Sequence, residues 1–421
     1  MKRRTYLAVA TSTSLALAGC TGSGGDDSSA ENGTGNGDDD PGSSSGGQSV
    51  DYPDAAGTDD DFENLEVWDV SGGTLTADSD RALVGSQSAR LETPVSSGST
   101  MIAKTYDDPR DLTDVVPGVA AASDTLVVPW LRLVDDGGDT IEYRRGISSD
   151  LPLMRYNFGI DSLDTAFDPS TVREVHLQLW TPDGDERTVW FDDLHFTPRP
   201  ETGQVMIQFD DNHVTDYTKA LPILEEYGYP AVTFVNPARI EAETDGVTDP
   251  GGFPRVDIDQ LHELHDAGWT ISNHCYNHPH LSELDAASQE DEIRTGKSWL
   301  ESEGFDEGAQ YFAYPHGDYD ETTIELVDEY HSIGFAGGLP VQGYSTNTKL
   351  TSRVGEPTAE RIQTELERTA EMRGITKMFY HRLEGEDLAA FETLVETIHE
   401  YESRGDLEVI LPSDLEERFL F

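Results

Sequence analysis

The chain has 421 residues, more than a single hydrophobic core normally organises, so two folded domains with additional non-globular segments are expected. It carries 82 Asp and Glu against 28 Lys and Arg, which gives a formal net charge of −54. This charge argues against a nucleic acid partner, and it predicts that the compact state needs screening by concentrated salt.

The amino terminus predicts an export signal over residues 1–19. Arg3 and Arg4 precede a short apolar stretch of small residues, and the pair resembles a twin-arginine signal. The sequence Leu-Ala-Gly-Cys at 17–20 resembles a lipobox, which implies cleavage before Cys20 and lipid attachment to its sulfur. The apolar stretch is too short for a transmembrane helix. We therefore expect export and a lipid anchor at the outer face of the cytoplasmic membrane, with simple secretion as the alternative.

Residues 20–60 contain little besides Gly, Ser, Asp and Asn, so they cannot bury enough apolar surface to offset the entropy of the chain. We expect a disordered acidic linker that holds the folded part away from the membrane. Acidic residues continue through every later segment, and this composition resembles that of proteins from salt-loving archaea. Cys275 is the only other cysteine, so lipid attachment at Cys20 leaves no intramolecular disulfide.

Residues 61–198 consist of short runs rich in β-branched and aromatic residues, separated by Gly, Asp and Pro and without a long helical period. This pattern predicts an all-β sandwich domain. The sequence at 62–65 and the Trp-Phe-Asp-Asp-Leu-His-Phe run at 190–196 resemble the ends of jelly-roll modules that often accompany carbohydrate enzymes.

Three tryptophans of this region allow two interpretations. Trp130, Trp180 and Trp190 lie in predicted strands, where a tryptophan is more often part of the core. Alternatively, they form a platform on which a sugar ring stacks. The region is therefore a candidate carbohydrate-binding domain, with a packing or spacer role as the other possibility.

Residues 204–421 alternate between predicted strands and helices. Strands are predicted at 205–209, 231–235, 270–272, 310–313, 377–380 and 408–411, and helices at 217–227, 256–267, 286–303, 322–330, 358–373 and 388–403. Repeated strand-helix units predict a parallel sheet of the α/β class, and their number favours closure into an irregular (β/α) barrel. In such barrels the chemistry lies where the strands end.

Two acidic residues, Asp210 and Asp211, follow the first of these strands and precede Asn212. One carboxylate of such a pair can bind a metal ion while the other transfers a proton. Asp-Asp-Asn is also an ordinary turn sequence, so the pair alone leaves both interpretations open.

Two histidines, His274 and His278, follow the third strand at a spacing of four residues. One turn of helix would place both imidazoles on the same side, as two ligands of a single ion require. Together with one carboxylate they would leave a coordination position open for water, which is typical of a catalytic metal site.

The ends of two further strands carry polar groups. The fourth strand runs into Tyr314, Pro315, His316 and Gly317, where Pro and Gly shape a loop whose backbone N–H groups can point at a reacting oxygen. His381 follows the strand at 377–380 and supplies another histidine at a strand end.

These stretches, in this order, resemble the motifs of the polysaccharide deacetylase family, the NodB-homology group, over residues 204–421. The stretch 209–212 matches Phe-Asp-Asp-Gly, 274–279 matches His-Ser/Thr-x-x-His-Pro, 313–317 matches Arg-x-Pro-Tyr-Gly in part, and 379–381 matches Leu-x-His. The resemblance implies a metal-dependent N-deacetylase that acts on an acetylated, N-acetylglucosamine-type polysaccharide outside the cell.

The family pattern implies a role for each matching residue. Asp210 would be the general base and His381 the general acid, and Asp211, His274 and His278 would be the metal ligands. The metal is usually zinc in this family, with cobalt or another divalent ion as the alternative.

The loop after the fourth strand is implied to contact the substrate. The backbone N–H of His316 would stabilise the oxyanion, in a loop that Tyr314 and Pro315 help to shape. The products would be acetate and a free amino sugar unit.

The sequence departs from the family pattern at several positions. Asn212 replaces Gly, which is tolerable because Asn also adopts a left-handed backbone, and Cys275 is expected to be a bystander where Ser or Thr is usual. Ala313 replaces the Arg that holds the catalytic Asp in many members, so the residue that orients Asp210 is unassigned. The local Phe-Ala-Tyr-Pro-x-Gly does resemble the branch that acts on poly-N-acetylglucosamine.

A further family motif, an acid pair followed by Trp, is absent from residues 331–357. The residue that orients His381 is therefore unassigned, and Arg353 is only a candidate for a supporting role. Two alternative functions remain: an O-acetyl esterase that uses the same site on polysaccharide, and a catalytically inactive surface protein that binds glycans.

Overall fold

The computed structural model describes residues 52–96, 98–246 and 252–421. The predicted export signal, Cys20 and most of the predicted linker lie outside the described residues. Within the described part of the chain, no helix is long and apolar enough to cross a membrane.

The amino-terminal part of the described chain is all-β. Its strands are Gly57–Asp60 (β1), Trp68–Ser71 (β2), Thr74–Asp78 (β3), Ser88–Glu92 (β4), Gly98–Arg110 (β5), Val115–Ser123 (β6), Trp130–Asp135 (β7), Thr140–Arg144 (β8), Met154–Asn157 (β9), Gly159–Leu163 (β10), Val172–Thr181 (β11) and Thr188–Pro198 (β12). They form two antiparallel sheets, one in the order β3-β4-β12-β6-β9 with β1 added to β12, the other in the order β10-β8-β7-β11-β5-β2. Strand β1 occupies residues that we expected in the linker, so the folded region begins before residue 61.

The two antiparallel sheets share one hydrophobic cluster. Leu91 and Phe191 enter it from the first sheet, and Leu131 and Leu177 enter it from the second, all without solvent exposure. Successive residues of a strand point to opposite faces, so each sheet turns one face into this cluster and the other away from it.

The carboxy-terminal part alternates between strands and helices. In chain order they are Gly203–Asp210 (β13), Leu221–Tyr227 (α1), Val232–Val235 (β14), Pro237–Thr244 (α2), Ile258–Asp266 (α3), Thr270–Asn273 (β15), Ala286–Ser302 (α4), Tyr311–Ala313 (β16), Glu321–Tyr330 (α5), Ile333–Gly337 (β17), Thr351–Gly355 (β18), Ala359–Glu371 (α6), Ile375–Tyr380 (β19), Gly385–Glu402 (α7), Leu407–Val409 (β20) and Pro412–Arg418 (α8).

Strands β13 to β19 close into a parallel barrel. Strand β13 pairs with β14 on one side and with β19 on the other, and β20 is added to β13. The predicted fold class, an irregular (β/α) barrel with an amino-terminal all-β region, is confirmed. Strands β17 and β18 lie in a stretch for which the sequence predicted no element.

Buried arginines connect the all-β region to the barrel. Arg145, which follows β8, donates from Nη2 to the carbonyl of Leu350 at 3.3 Å and contacts the hydroxyl of Ser352. Arg199, which follows β12, donates to the carbonyl of Met372 at 2.6 Å. A buried guanidinium is stable only where its donors meet acceptors, so these contacts fix the two parts against each other.

We predict that the chain loses stability as salt is diluted. Its net charge of −54 repels itself over a longer range in dilute buffer, because the Debye length grows from about 3 Å at 1 M salt to about 10 Å at 0.1 M. Circular dichroism melts in a sodium chloride series should show a falling Tm, and potassium chloride at equal ionic strength should give the same curve. An unchanged Tm in dilute buffer would contradict the prediction.

Candidate active site

The carboxyl ends of the barrel strands bring the predicted polar residues to one rim. Asp210 is the last residue of β13, and Asp211 follows it. His274 follows β15, the 313–317 loop follows β16, and His381 follows β19. All strands of the barrel run parallel, so their carboxyl ends lie on the same side.

Asp211, His274 and His278 form a group of atoms that can hold a divalent metal ion. Oδ1 of Asp211 lies 3.2 Å from Nε2 of His278 and 4.0 Å from Nε2 of His274. The Nδ1–H of His274 donates to the carbonyl of Ala313 at 2.7 Å, which leaves Nε2 for the metal. One carboxylate and two imidazoles suit zinc or cobalt, and they leave a coordination position open.

The two histidines reach this group through a loop. Cys275 and His278 have φ angles of 61° and 66°, so the chain reverses between them, and the helical turn expected from their spacing is wrong. The imidazole rings of His274 and His278 still meet, with centroids 4.9 Å apart. The side chain of Cys275 is buried in a hydrophobic cluster and is not part of the ligand group.

A left-handed turn after β13 separates the two aspartates. Asp211 and Asn212 have φ angles of 72° and 45°. Oδ1 of Asn212 accepts the backbone N–H of Asn236 at 3.0 Å, which holds the turn in place. Asn is one of the few residues other than Gly that adopt this conformation readily. Asn212 can therefore take the place of the Gly in the family motif.

Arg353 of β18 holds the Asp210 carboxylate. Its Nη1 and Nη2 donate to Oδ1 and Oδ2 at 2.8 and 2.7 Å, in a bidentate pair whose members are only 2% and 4% exposed. Oδ2 of Asp210 lies 4.0 Å from Nε2 of His274, so the pair stands directly beside the metal ligands. Arg353 therefore supplies the orienting partner that the sequence left unassigned.

Electrostatics favours the protonation states that bind metal. Burial alone would raise the pKa of the Asp211 carboxyl, but its interactions with His274, His278 and Arg239 outweigh burial and lower that pKa. Burial lowers the pKa of His274, and burial together with His274 lowers the pKa of His278 to about 3. Near neutral pH the group therefore offers one ionised carboxylate and two neutral imidazoles.

The Asp210 carboxyl is also ionised near neutral pH. Burial alone would raise its pKa, but the guanidinium of Arg353 and the neighbouring His274 hold the pKa below the ordinary value. Each oxygen accepts one N–H from Arg353 and keeps a further lone pair. Asp210 can therefore accept a proton while it remains fixed in place.

Glu356 orients His381. The Nδ1–H of His381 donates to Oε1 of Glu356 at 3.0 Å, and both side chains are partly exposed to solvent. The backbone N–H of Glu356 donates to the carbonyl of Phe379 at 2.8 Å, which ties the loop after β18 to β19. This arrangement fixes the imidazole and leaves its Nε2 to exchange a proton.

The loop after β16 places His316 beside the metal ligands. His316 has a φ angle of 58°, and its ring lies 4.3 Å from that of His278 and 3.9 Å from that of His280. Pro315 is buried, and the hydroxyl of Tyr314 donates to the carbonyl of Lys349 at 2.8 Å. Tyr314 therefore supports the loop from the core, and its hydroxyl is not available to a substrate.

Comparisons with known proteins found similarity in the part of the chain that forms the barrel. A family model described as Polysaccharide deacetylase matches residues 197–333. The match supports a polysaccharide deacetylase domain in this chain. It spans Asp210, Asp211, His274 and His278 and ends before Arg353.

The protein YxkH of Bacillus subtilis (strain 168), whose name places it with the polysaccharide deacetylases, is 25% identical over 183 residues, 42% of this chain and 61% of that protein. The chain thus spans about three fifths of the length of this relative. A Streptococcus pyogenes deacetylase, PplD, in complex with acetate is 24% identical over 35% of this chain and 61% of its own, with a TM-score of 0.30. A family 4 carbohydrate esterase from Streptomyces lividans in complex with acetate is 18% identical over 50% of this chain and 92% of its own, with a TM-score of 0.36.

Two arginines of the barrel region support Asp211, and the sequence did not single them out. Arg239 of α2 donates to Oδ1 of Asp211 at 2.8 Å, and Arg255 donates to the backbone carbonyl of Asp211 at 2.8 Å. They lie 28 and 44 residues along the chain from Asp211, so no local motif points to them. A cavity opens beside them, and it is lined by Asp211, His213, Arg239, Phe253, Arg255, Glu356, Arg382 and Asp387.

We predict different effects from replacing the two adjacent aspartates. Asp211→Asn should abolish stoichiometric binding of transition metal, whereas Asp210→Asn should retain the metal and lose turnover, because Arg353 and not the metal holds Asp210. Metal per chain after gel filtration, measured by mass spectrometry, checks this. Asp291→Asn, at an exposed acid of α4, is the matched control and should change neither value. Loss of metal in Asp210→Asn would contradict the assignment.

We predict that Glu356→Gln lowers kcat by about tenfold to a hundredfold, which is part of the roughly 10²–10⁴-fold that a positioned general acid contributes. The imidazole of His381 would lose its charged acceptor, while the metal ligands keep theirs. Metal content and KM should therefore stay near the wild-type values in steady-state assays. Glu384→Gln, at an exposed carboxylate that pairs with Arg382, is the control. An unchanged kcat in Glu356→Gln would remove this role.

Proposed function

We propose that the chain is a metal-dependent hydrolase that removes N-acetyl groups from an extracellular or cell-surface polysaccharide with N-acetylglucosamine-type units. The observation that carries the proposal is the convergence of Asp211, His274 and His278 beside the carboxylate of Asp210. A metal-binding group and a fixed proton acceptor in contact are the parts that water-driven amide hydrolysis needs.

Each residue of the site has a step to perform. Asp211, His274 and His278 would hold a divalent ion, zinc by family resemblance, which when bound polarises the acetamide carbonyl and lowers the pKa of water. Asp210 takes a proton from the water that attacks the carbonyl carbon. The backbone N–H of His316 donates to the carbonyl oxygen as negative charge develops there.

The leaving group departs with a proton from His381. As the carbon–nitrogen bond breaks, Nε2 of His381 gives its proton to the sugar nitrogen, and Glu356 holds the imidazole during the transfer. Water and the acetamide thereby yield acetate and a free amine. An amide nitrogen is a poor leaving group without a proton, so an oriented acid favours an amide substrate over an ester.

Two alternative functions are compatible with the same site. An O-acetyl esterase would need the same metal group and base, so only the substrate separates it from an N-deacetylase. An inactive glycan-binding protein would have no need for the buried pair of Asp210 and Arg353. Burying two charges is costly, and apolar residues of similar volume would often be at least as stable in their place.

We predict that the full chain, in concentrated salt, releases acetate from N-acetylglucosamine oligomers. A chelator should abolish the release and zinc should restore it, because the metal group is part of the site. Acetylated xylan, assayed in parallel, tests the ester alternative. Release from xylan alone would favour the O-acetyl esterase, and no release from either substrate with any divalent metal would contradict a catalytic function.

We propose further that the chain is exported and held at the outer face of the cytoplasmic membrane by lipid on Cys20. Arg3, Arg4 and the Leu-Ala-Gly-Cys sequence at 17–20 support this proposal. Cys20→Ser should move the protein from the membrane fraction into the medium, and mass spectrometry should find no lipid on the variant. Cys275→Ser is the control, because it removes the other cysteine. Membrane retention of Cys20→Ser would contradict the anchor.

A further inference from the structure

One tryptophan of the all-β region is exposed near the end of a central strand. Trp180 lies near the end of β11, opposite Ser99 of β5 and past the last residue that pairs with β7, and 58% of its surface is open to solvent. It stands on the face that the second sheet turns away from the hydrophobic cluster, because its neighbour Leu179 points into that cluster. Trp190 differs, since it lies on β12 of the first sheet, is 8% exposed and donates from Nε1 to Asp78 at 2.7 Å.

The strand register brings a second tryptophan close to Trp180. Gln178 of β11 pairs with Trp130 of β7, and Trp130 pairs with Arg144 of β8. Trp180 follows Gln178 by two residues, so it lies on the same face and is a diagonal neighbour of Trp130. Two indole rings therefore flank the amide of Gln178 on one open surface.

Ion pairs hold the polar side chains of this surface in place. Arg144 contacts Asp161 at 2.9 Å, and Asp161 also accepts the Nε1–H of Trp130 at 3.4 Å. Arg132 of β7 donates from Nε to Glu142 of β8 at 2.8 Å. These four charged side chains stay between 21% and 36% exposed, so they are oriented and still accessible.

We propose that this surface, defined by Trp130, Trp180, Gln178, Arg132 and Arg144, binds a neutral glycan chain. A sugar ring offers C–H groups on its faces and hydroxyls at its edge, so it can stack on an indole while planar amide, guanidinium and carboxylate groups bind its hydroxyls. Polar groups that are already oriented lose little freedom when they bind.

The charge of the surface selects this ligand class over others. Arg132 with Glu142 and Arg144 with Asp161 cancel, so the surface is locally neutral within a chain of net charge −54. A polyanion would find no net positive charge on this surface to bind it, whereas an uncharged glycan needs none. The inference does not rest on the deacetylase proposal, because the surface belongs to the all-β region.

Titration calorimetry of the full chain in concentrated salt tests the proposal. The probes are hexamers of glucose and of N-acetylglucosamine, with a hyaluronan hexamer as the polyanion. The glucose hexamer carries no acetamide, so its binding reports on this surface independently of deacetylase activity. We expect a neutral hexamer to bind the wild type and to lose at least about tenfold in affinity with Trp180→Ala, as truncation of a central tryptophan does at interfaces.

The control is Leu83→Ala, at an exposed apolar residue of the all-β region, which should bind like the wild type. Circular dichroism confirms that both variants fold. The proposal would be overturned by no binding of either neutral hexamer, by equal affinity in the wild type and Trp180→Ala, or by tighter binding of hyaluronan. A wild-type dimer that becomes monomeric with Trp180→Ala would assign the surface to a second copy of the chain and would overturn it as well.

Discussion

The buried ion pair between Asp210 and Arg353 determines which of the two adjacent aspartates is available to a metal ion. A carboxylate without solvent is costly unless charged donors satisfy it, and Arg353 occupies both oxygens of Asp210 from inside the barrel. Asp210 therefore stays beside the metal ligands without joining them. The left-handed backbone of Asp211 and Asn212 sends the next carboxylate towards His274 and His278. One strand end thus places a carboxylate of the candidate metal site next to a carboxylate that Arg353 holds apart from it.

The all-β region contributes to the position of Arg353. Arg353 lies on β18, a strand of only five residues, and the residue before it, Ser352, contacts the buried Arg145 of the all-β region. Arg145 also donates to the carbonyl of Leu350, just ahead of the strand. The two parts of the molecule therefore share a contact one residue away from the partner of Asp210, and the all-β region supports the site in addition to any ligand it binds.

Sequence patterns predicted the parts of this structure that depend on local periodicity or on compact motifs. Alternating strands and helices led to the barrel, and Asp211, His274 and His278 lie where their motifs are. The sequence named Arg353 only as a candidate for a supporting role and did not single out Glu356. Both act on residues that are distant in the chain, and they lie in or just after a short strand, Thr351–Gly355, whose composition resembles a loop. The spacing of His274 and His278 suggested a helix, but a spacing does not determine the φ angles between the two residues. The observed loop depends on left-handed backbone at Cys275 and His278.

We propose that Asp211 binds the metal and that Asp210 does not. The most direct test is anomalous diffraction, collected at the zinc absorption edge, from crystals of the chain grown with zinc. We expect a strong peak within bonding distance of the Asp211 carboxylate and of Nε2 of His274 and His278, with Asp210 still paired to Arg353. A peak bonded to Asp210, or peaks confined to surface carboxylates, would contradict it.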